Sequence, residues 1–332
     1  MANNSDKRPG EFDLIRDYFA PLADPAAGGL GLKDDAALLT PAPGMELVLT
    51  VDAIVEGVHY LPDDPPEDVA AKLLRVNLSD LAAKGAEPLG YLLTAMLAPA
   101  IGSGYMRRFV DGLAADQSAY GITLLGGDTV GTPGPTGFSL TAIGRVPAGT
   151  MRTRANAQAG DLICVSGSIG DGALGLLAAQ GNLAGLSEPH LSHLLSRYRR
   201  PQPRVALGQA LRELAHAGID ISDGLAADLG HLTVASGVGA HVRVVDVPLS
   251  DAARAVLDGR PDLFETVLTG GDDYELLLAV SPQNWEQAAA AAGEVGTPLT
   301  AIGRIEDEKT GLVFEAEDGR PLDLKRRGFT HN

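Results

Sequence analysis

Six groups of aspartates punctuate the chain: Lys33-Asp34-Asp35, Thr50-Val51-Asp52, Ser79-Asp80, Gly127-Asp128-Thr129, Asp220-Ile221-Ser222-Asp223-Gly224 and Gly271-Asp272-Asp273-Tyr274. They fall at the ends of apolar runs or in turns of small residues. Carboxylates placed this way suit magnesium, a hard cation that takes one or two carboxylates per ion and completes its shell with water and phosphate. A site for several ions recruits acids from several segments. An aspartate repels a phosphate, whereas aspartate, magnesium and phosphate form a neutralised stack, so the chemistry on offer is the holding of phosphate groups through metal. Each acid also has a plain structural reading. Asp35 can cap a helix over Ala36-Ala37-Leu38-Leu39. Asp80 stands four residues before Lys84, the spacing of a surface ion pair of about 0.3–0.5 kcal/mol. Asp223 with Gly224 can cap a helix beginning at Leu225. Spacing alone names no reaction.

Other signatures narrow the field. No Gly-x-x-x-x-Gly-Lys-Ser/Thr occurs, and the protein-kinase catalytic-loop and Asp-Phe-Gly strings are missing. Gly170-Asp171-Gly172-Ala173-Leu174-Gly175 matches a dinucleotide-binding fingerprint after a strand. However, the acid-ended strand required about 20 residues later is replaced by a loop and helix over 182–195, which favours a tight strand-to-helix turn. The single cysteine, Cys164, sits in Leu162-Ile163-Cys164-Val165 and reads as a small buried hydrophobe, not a catalytic thiol.

Composition bounds the partners. The 332 residues carry a formal charge of −17, which opposes binding to a nucleic-acid backbone or an anionic membrane. Aromatics, at 5%, are too sparse for a base-stacking platform, while 45% hydrophobic residues supply a sizeable core. No apolar stretch approaches transmembrane length and the N-terminal residues are polar, so a cytoplasmic protein is expected.

The elements that must position the acids follow from periodicity and punctuation. Helices are predicted over 11–22, 67–84, 105–120 (ended by Gly121), 172–180, 203–216, 225–235 and 284–292. Strands are predicted over 47–52, 89–97, 122–125, 138–146, 162–165, 241–247, 274–280 and 298–305. The string Leu-Thr-Ala-Ile-Gly-Arg occurs at 140–145 and again at 299–304, which fits two halves of mixed α+β character better than a solenoid. Pro147-Ala148-Gly149-Thr150 is the candidate linker, dividing the chain into domains 1–147 and 148–332.

Five strings in order, Asp34-Asp35-Ala36-Ala37-Leu38-Leu39, Asn77-Leu78-Ser79-Asp80-Leu81-Ala82-Ala83, Gly126-Gly127-Asp128-Thr129, Ile219 to Leu225 and Asp273-Tyr274-Glu275-Leu276, resemble the thiamine-monophosphate kinase family. The resemblance runs from Gly10-Glu11-Phe12 to Gly328-Phe329. It implies transfer of phosphate from ATP to thiamine monophosphate, giving thiamine diphosphate. It also implies the two-domain α+β fold of the aminoimidazole ribonucleotide synthetase superfamily. In that fold the N-terminal domain binds ATP and magnesium and pairs with its copy in a homodimer, closing a shared β-barrel. A C-terminal α+β domain packs beside it, with ATP in the cleft between. The family's metal ligands map onto Asp35, Thr50, Asp52, Asp80, Asp128, Asp220 and Asp223. Its ATP contacts map onto Gly127, Asp128, Arg154 and Ser222, and its substrate contacts onto His59, Asp272 and Phe329.

Three positions depart from the family pattern: Lys33 replaces a glycine, Val51 a threonine and Asp272 a glutamate. Related reactions of the superfamily are the nearest rivals, and the lack of an N-terminal reactive cysteine or lysine motif counts against selenophosphate chemistry. A rival of another class is a nucleotide- or thiamine-phosphate-binding protein without turnover. A phosphate monoester with a second pKa of about 6 is largely dianionic at neutral pH, so no general base is expected.

Overall fold

The computed structural model describes residues 9–24, 26–324 and 328. The chain builds two compact units. The first holds the described residues up to Leu81 together with Glu87–Gly149; the second holds Ala82–Ala86 together with the described residues from Thr150 on.

The first unit begins with α1 (Glu11–Leu14), which runs on through a π turn (Ile15–Phe19) and a 3-10 turn (Ala20–Leu22). The helical spacing thus holds, but the pitch changes twice, and it is Leu14, Tyr18, Phe19 and Leu22 that are buried while Phe12 stays exposed. Then follow β1 (Met45–Val55), α2 (Pro66–Ala83), β2 (Glu87–Leu97), α3 (Ser103–Tyr120), β3 (Thr123–Gly131) and β4 (Gly137–Pro147). The strands form one sheet in the order β1-β4-β2-β3. β4 is antiparallel to both its neighbours, and β2 and β3 are parallel. Helix α3 packs on the sheet through Phe109, whose ring stacks 4.3 Å from that of Phe138. Helix α2 lies against the same side, where Asn77 Oδ1 accepts the Asp52 amide at 3.0 Å. Arg75 of α2 and Asp116 of α3 join the two helices by a bidentate pair, both bonds 2.7 Å. The opposite face carries exposed Leu49, Val51, Leu92 and Val130. Within the chain this sheet is open, with β1 and β3 as edges; it does not close a barrel on its own.

The second unit contains β5 (Leu162–Ser166), α4 (Asp171–Ala179), α5 (Glu188–Arg199), α6 (Val205–Ala210), β6 (Ala215–Asp220), α7 (Leu225–Ser236) and β7 (Val238–Arg243). It continues with α8 (Asp251–Gly259), α9 (Phe264–Thr269), β8 (Leu276–Val280), α10 (Trp285–Glu294), β9 (Leu299–Asp307) and β10 (Leu312–Glu315). The sheet order is β10-β7-β9-β5-β8-β6, antiparallel throughout except for the β10–β7 pair. Both faces are covered. Ile163, Val165, Leu277 and Ala279 join one core, whereas Cys164, Leu276, Leu278 and Val280 join the other. Period-2 side-chain alternation explains why these central strands read as unbroken apolar runs.

Several expectations are corrected. The helix predicted over 203–216 ends at Ala210, and His216 lies in β6. The strand predicted over 241–247 ends at Arg243 and gives way to a 3-10 turn. Asp52 is inside β1, not at its end, and Gly126-Gly127-Asp128-Thr129 is strand, not turn. No helix follows Asp35, so it caps none. Helix α7 is entered through Gly224 with no side-chain cap, so Asp223 is not a cap either. The fingerprint at 170–175 is a strand-to-helix turn on a strand whose neighbours are both antiparallel, which excludes a Rossmann unit. Its glycines serve packing: a Cβ at Gly172 would meet the Asp272 carbonyl oxygen at 2.2 Å. The two copies of Leu-Thr-Ala-Ile-Gly-Arg fall in β4 and β9, each an interior strand of its own sheet.

Candidate functional site

Within the first unit the acids form two groups. Asp35 and Asp128 line one cavity of about 680 Å³, whose wall also includes Asp34, Phe19, Leu32 and Gly126-Gly127. The loop bringing Asp34 and Asp35 to it passes through left-handed Leu30 and Leu32, with φ 50° and 55°. Non-glycine residues hold that conformation at a cost of about 1–2 kcal/mol each, a form of strain that clusters at binding loops. Asp34 Oδ1 accepts the Asp35 amide at 2.8 Å, and Asp128 Oδ1 accepts the Thr129 amide at 2.8 Å, which fixes one oxygen of each and leaves the other directed elsewhere. Asp128 is carried opposite Thr94 by the parallel β2–β3 ladder, with Gly127 opposite Leu93.

The second group lies under β1. Thr50 and Asp52 project from the side of the strand that faces α2, and the Thr50 hydroxyl donates to Asp80 Oδ2 at 2.5 Å. Asp80 thus meets a strand hydroxyl, while Lys84 donates to the Gly218 carbonyl at 3.2 Å. Val51 projects from the opposite face and is 61% exposed, so the loss of a hydroxyl there takes no donor from the Asp52 side. His59 follows β1 in a turn and accepts the Val55 amide on Nδ1 at 3.1 Å.

In the second unit two loops are stitched together by backbone. The Ile221 amide donates to the Glu275 carbonyl, the Tyr274 amide to the Ile221 carbonyl, and the Asp272 amide to the Ser222 carbonyl, at 2.8–2.9 Å. Asp220, Ser222, Asp223 and Asp272 are therefore gathered at one end of β6 and β8. Arg154 is exposed elsewhere in this unit, its carbonyl accepting from Ser236 Oγ at 3.1 Å. Phe329 lies outside the described residues.

Two further residues belong to this end of the sheet. Asp228, on the first turn of α7, is 2% exposed and accepts the Asp223 amide at 3.0 Å. Burial, and then the nearby Asp220 charge, pushes its carboxyl up to about 8. Asp223, Asp228 and His231 place ligand atoms within 4.8 Å of one another. A divalent cation would offset the repulsion among these carboxylates, so the donor set fits magnesium through its oxygens, with His231 a softer donor at the rim. The spacing Asp228-x-x-His231, one helical turn apart behind Asp223-Gly224, was the available signal for both.

Known proteins extend this picture. Residues 33–146 match the AIR synthase related protein, N-terminal domain, and residues 158–314 match the AIR synthase related protein, C-terminal domain. A thiamine-monophosphate kinase of Caulobacter vibrioides is 43% identical over 97% of this chain and 91% of the relative. The crystal structure of thiamine-monophosphate kinase from Stenotrophomonas maltophilia K279a is 42% identical, with a TM-score of 0.80 over 88% of this chain and 91% of that one. The structure of AaThiL complexed with AMPPCP and TMP is 30% identical, with a TM-score of 0.77 over 90% of this chain and 91% of that one. No helix among the described residues is long and apolar enough to cross a membrane. With both domain matches in place and 43% identity to a relative over 97% of its length, the chain belongs to the thiamine-monophosphate kinase family.

Proposed function

We propose that the chain transfers the terminal phosphoryl group of ATP in line to the phosphate of thiamine monophosphate, in the cytoplasm, yielding ADP and thiamine diphosphate. The observation that carries the magnesium dependence is the crowding of Asp220, Asp223 and Asp228 at the head of α7, where Asp228 is buried and its carboxyl is pushed up to about 8 by burial and the Asp220 charge. A relative bound to AMPPCP, an ATP analogue, and TMP supports the pair of substrates. In this reading Asp35, Thr50, Asp52, Asp80, Asp128, Asp220 and Asp223 hold several magnesium ions. Bound magnesium supplies charge neutralisation between two anionic phosphates.

The chain's own groups do the rest. Gly127, Asp128 and Ser222 place the nucleotide, and Arg154 sets its guanidinium against the ATP phosphates. His59, Asp272 and Phe329 hold the thiamine side, with Asp272 opposing the cationic thiazolium and Phe329 offering a ring face to it. No side chain need remove a proton, because the accepting phosphate is already largely dianionic, with a second pKa of about 6. The exposed stripe Leu49, Val51, Leu92 and Val130 supports pairing of the open sheet with a second copy of the chain in a barrel-closing homodimer.

The test is direct: incubation with ATP, magnesium and thiamine monophosphate, with mass detection of thiamine diphosphate. Product is expected from thiamine monophosphate and not from free thiamine. Asp128→Asn is expected to reduce turnover at least ~100-fold, in line with loss of a group that anchors transition-state charge. Absence of product from the parent chain, or undiminished turnover in Asp128→Asn at saturating magnesium, would sink the reading.

A further inference from the structure

Asp272 and Tyr274 both take left-handed backbone conformations, with φ 73° and 51°. Non-glycine residues keep such conformations only where their surroundings over-determine them. Backbone bonds to Ser222 and Ile221 hold one side of the loop. Asp273, 1% exposed, points the other way, and its two carboxylate oxygens accept the Gly170 and Gly172 amides at 2.7 and 3.0 Å. Glu275, fully buried, has all four lone-pair directions filled. Arg197 Nη2 and Arg204 Nη2 donate to Oε1 at 2.8 and 2.5 Å; Arg204 Nε and Ser166 Oγ donate to Oε2 at 2.7 and 2.5 Å. Arg197 Nη2 also donates to the Asp273 carbonyl at 3.1 Å, so one guanidinium grips the loop at two residues.

Stability alone does not select this arrangement. Arg197 is 4% exposed, and its Nε and Nη1 find no partner among the described residues. A buried ion cluster gains little over apolar packing of the same volume, whereas here four bonds hold the Glu275 carboxylate by both oxygens. The structure assigns to Arg197 and Arg204, acting through Glu275, the positioning of the Asp272 carboxylate for the cationic ring of the substrate. They are positioning residues: they hold Glu275 and, through Arg197, the Asp273 carbonyl, and act on Asp272 along the main chain. The assignment rests on the proposed role of Asp272 as a substrate contact.

Calorimetric titration of the full chain with thiamine monophosphate, and separately with magnesium and ATP, tests it. Glu275→Gln is expected to weaken thiamine monophosphate binding ~10-fold while leaving ATP binding within ~2-fold; Ser166→Ala, which removes one of the four bonds, is expected to weaken it ~3-fold. Asp272→Asn keeps a residue tolerant of the left-handed region and removes the charge. In that background Glu275→Gln is expected to add less than ~2-fold, because its effect travels through Asp272. Equal weakening of both ligands, or an undiminished effect in the Asp272→Asn background, overturns the assignment. Should Glu275→Gln fail to fold, Ser166→Ala decides: weakening not confined to thiamine monophosphate overturns it equally. Parent-like binding by Asp272→Asn overturns instead the substrate role of Asp272, so the two failures are distinguishable.

Discussion

Replacing Gly127 by alanine puts a methyl group where the parallel ladder between β2 and β3 leaves no room. A Cβ at that position would stand 1.9 Å from the Leu93 carbonyl oxygen and 2.8 Å from its carbon. Ordinary contact begins at about 3.5 Å, so β3 must move outward by more than ~1 Å. It is an edge strand and can move, but only by straining its one ladder. Overpacking of this kind costs about 1–3 kcal/mol and each weakened ladder bond about 1 kcal/mol, for a loss of about 2–5 kcal/mol. That corresponds to a drop in Tm of about 5–15 °C. Asp128 moves with the strand, and a displacement of ~1 Å costs on the order of 100-fold in turnover. Gly126→Ala is the internal control. Its Cβ would meet only the tip of Leu92, at 3.3 Å, a contact a side-chain rotation relieves for less than ~1 kcal/mol. Thermal melts and turnover with ATP, magnesium and thiamine monophosphate read both effects. A Gly127→Ala variant that melts within ~2 °C of the parent and turns over normally refutes the reasoning, as does a Gly126→Ala variant equally damaged.

Three further outcomes are expected. Asp228 retains its proton in the fold over a range where the unfolded chain has ionised, so in chelator the chain loses stability as pH rises towards about 8. The slope contributed is about 1.4 kcal/mol per pH unit, and Asp228→Asn removes it; denaturant melts from pH 5 to 8 that run parallel for the two chains would contradict this. Asp116→Ala strands the Arg75 guanidinium, whose side chain is 17% exposed, and is expected to cost about 3–5 kcal/mol by urea titration, with a loss under ~1 kcal/mol counting against a buried pair. Burial pushes the Cys164 thiol up to about 12, so a thiol reagent at pH 8 should label the chain only after denaturation; rapid native labelling would show the cysteine to be accessible.

Residues with strong local punctuation were legible from sequence. α3 ends at Gly121 in the left-handed conformation, and α7 begins after Gly224, as their composition implies. β6 was not legible, because Ala215-His216-Ala217-Gly218 has poor strand propensity and follows a run that suits a helix. Pairing with β8 makes it a strand, and its small residues suit a crowded position where a Cβ on Gly218 would meet Arg152 at 2.7 Å. The site divides in the same way. Acids in ordered strings were readable, but whether Asp52 sat within a strand or at its end depended on how far β1 extends through pairing with β4. The burial of Asp228 and Glu275 was not legible, since burial is a tertiary property that spacing does not encode.

The inclusion of Ala82–Ala86 in the second unit has a consequence for how the chain is made. Ala82 and Ala83 belong to a core completed by Leu207, Leu211, Leu276 and, last, Ala288 and Ala292. A ribosome adds about 5–20 residues per second, so these alanines wait on the order of 10–40 s for their partners. For the part of that interval after β4 is made, the tail of α2 is a bare apolar end on a unit whose own strands are all present. A nascent chain released near Gly149 would carry that end permanently. Cutting the gene between the two sheets therefore yields not one finished domain but a domain bearing a fragment of the other's core.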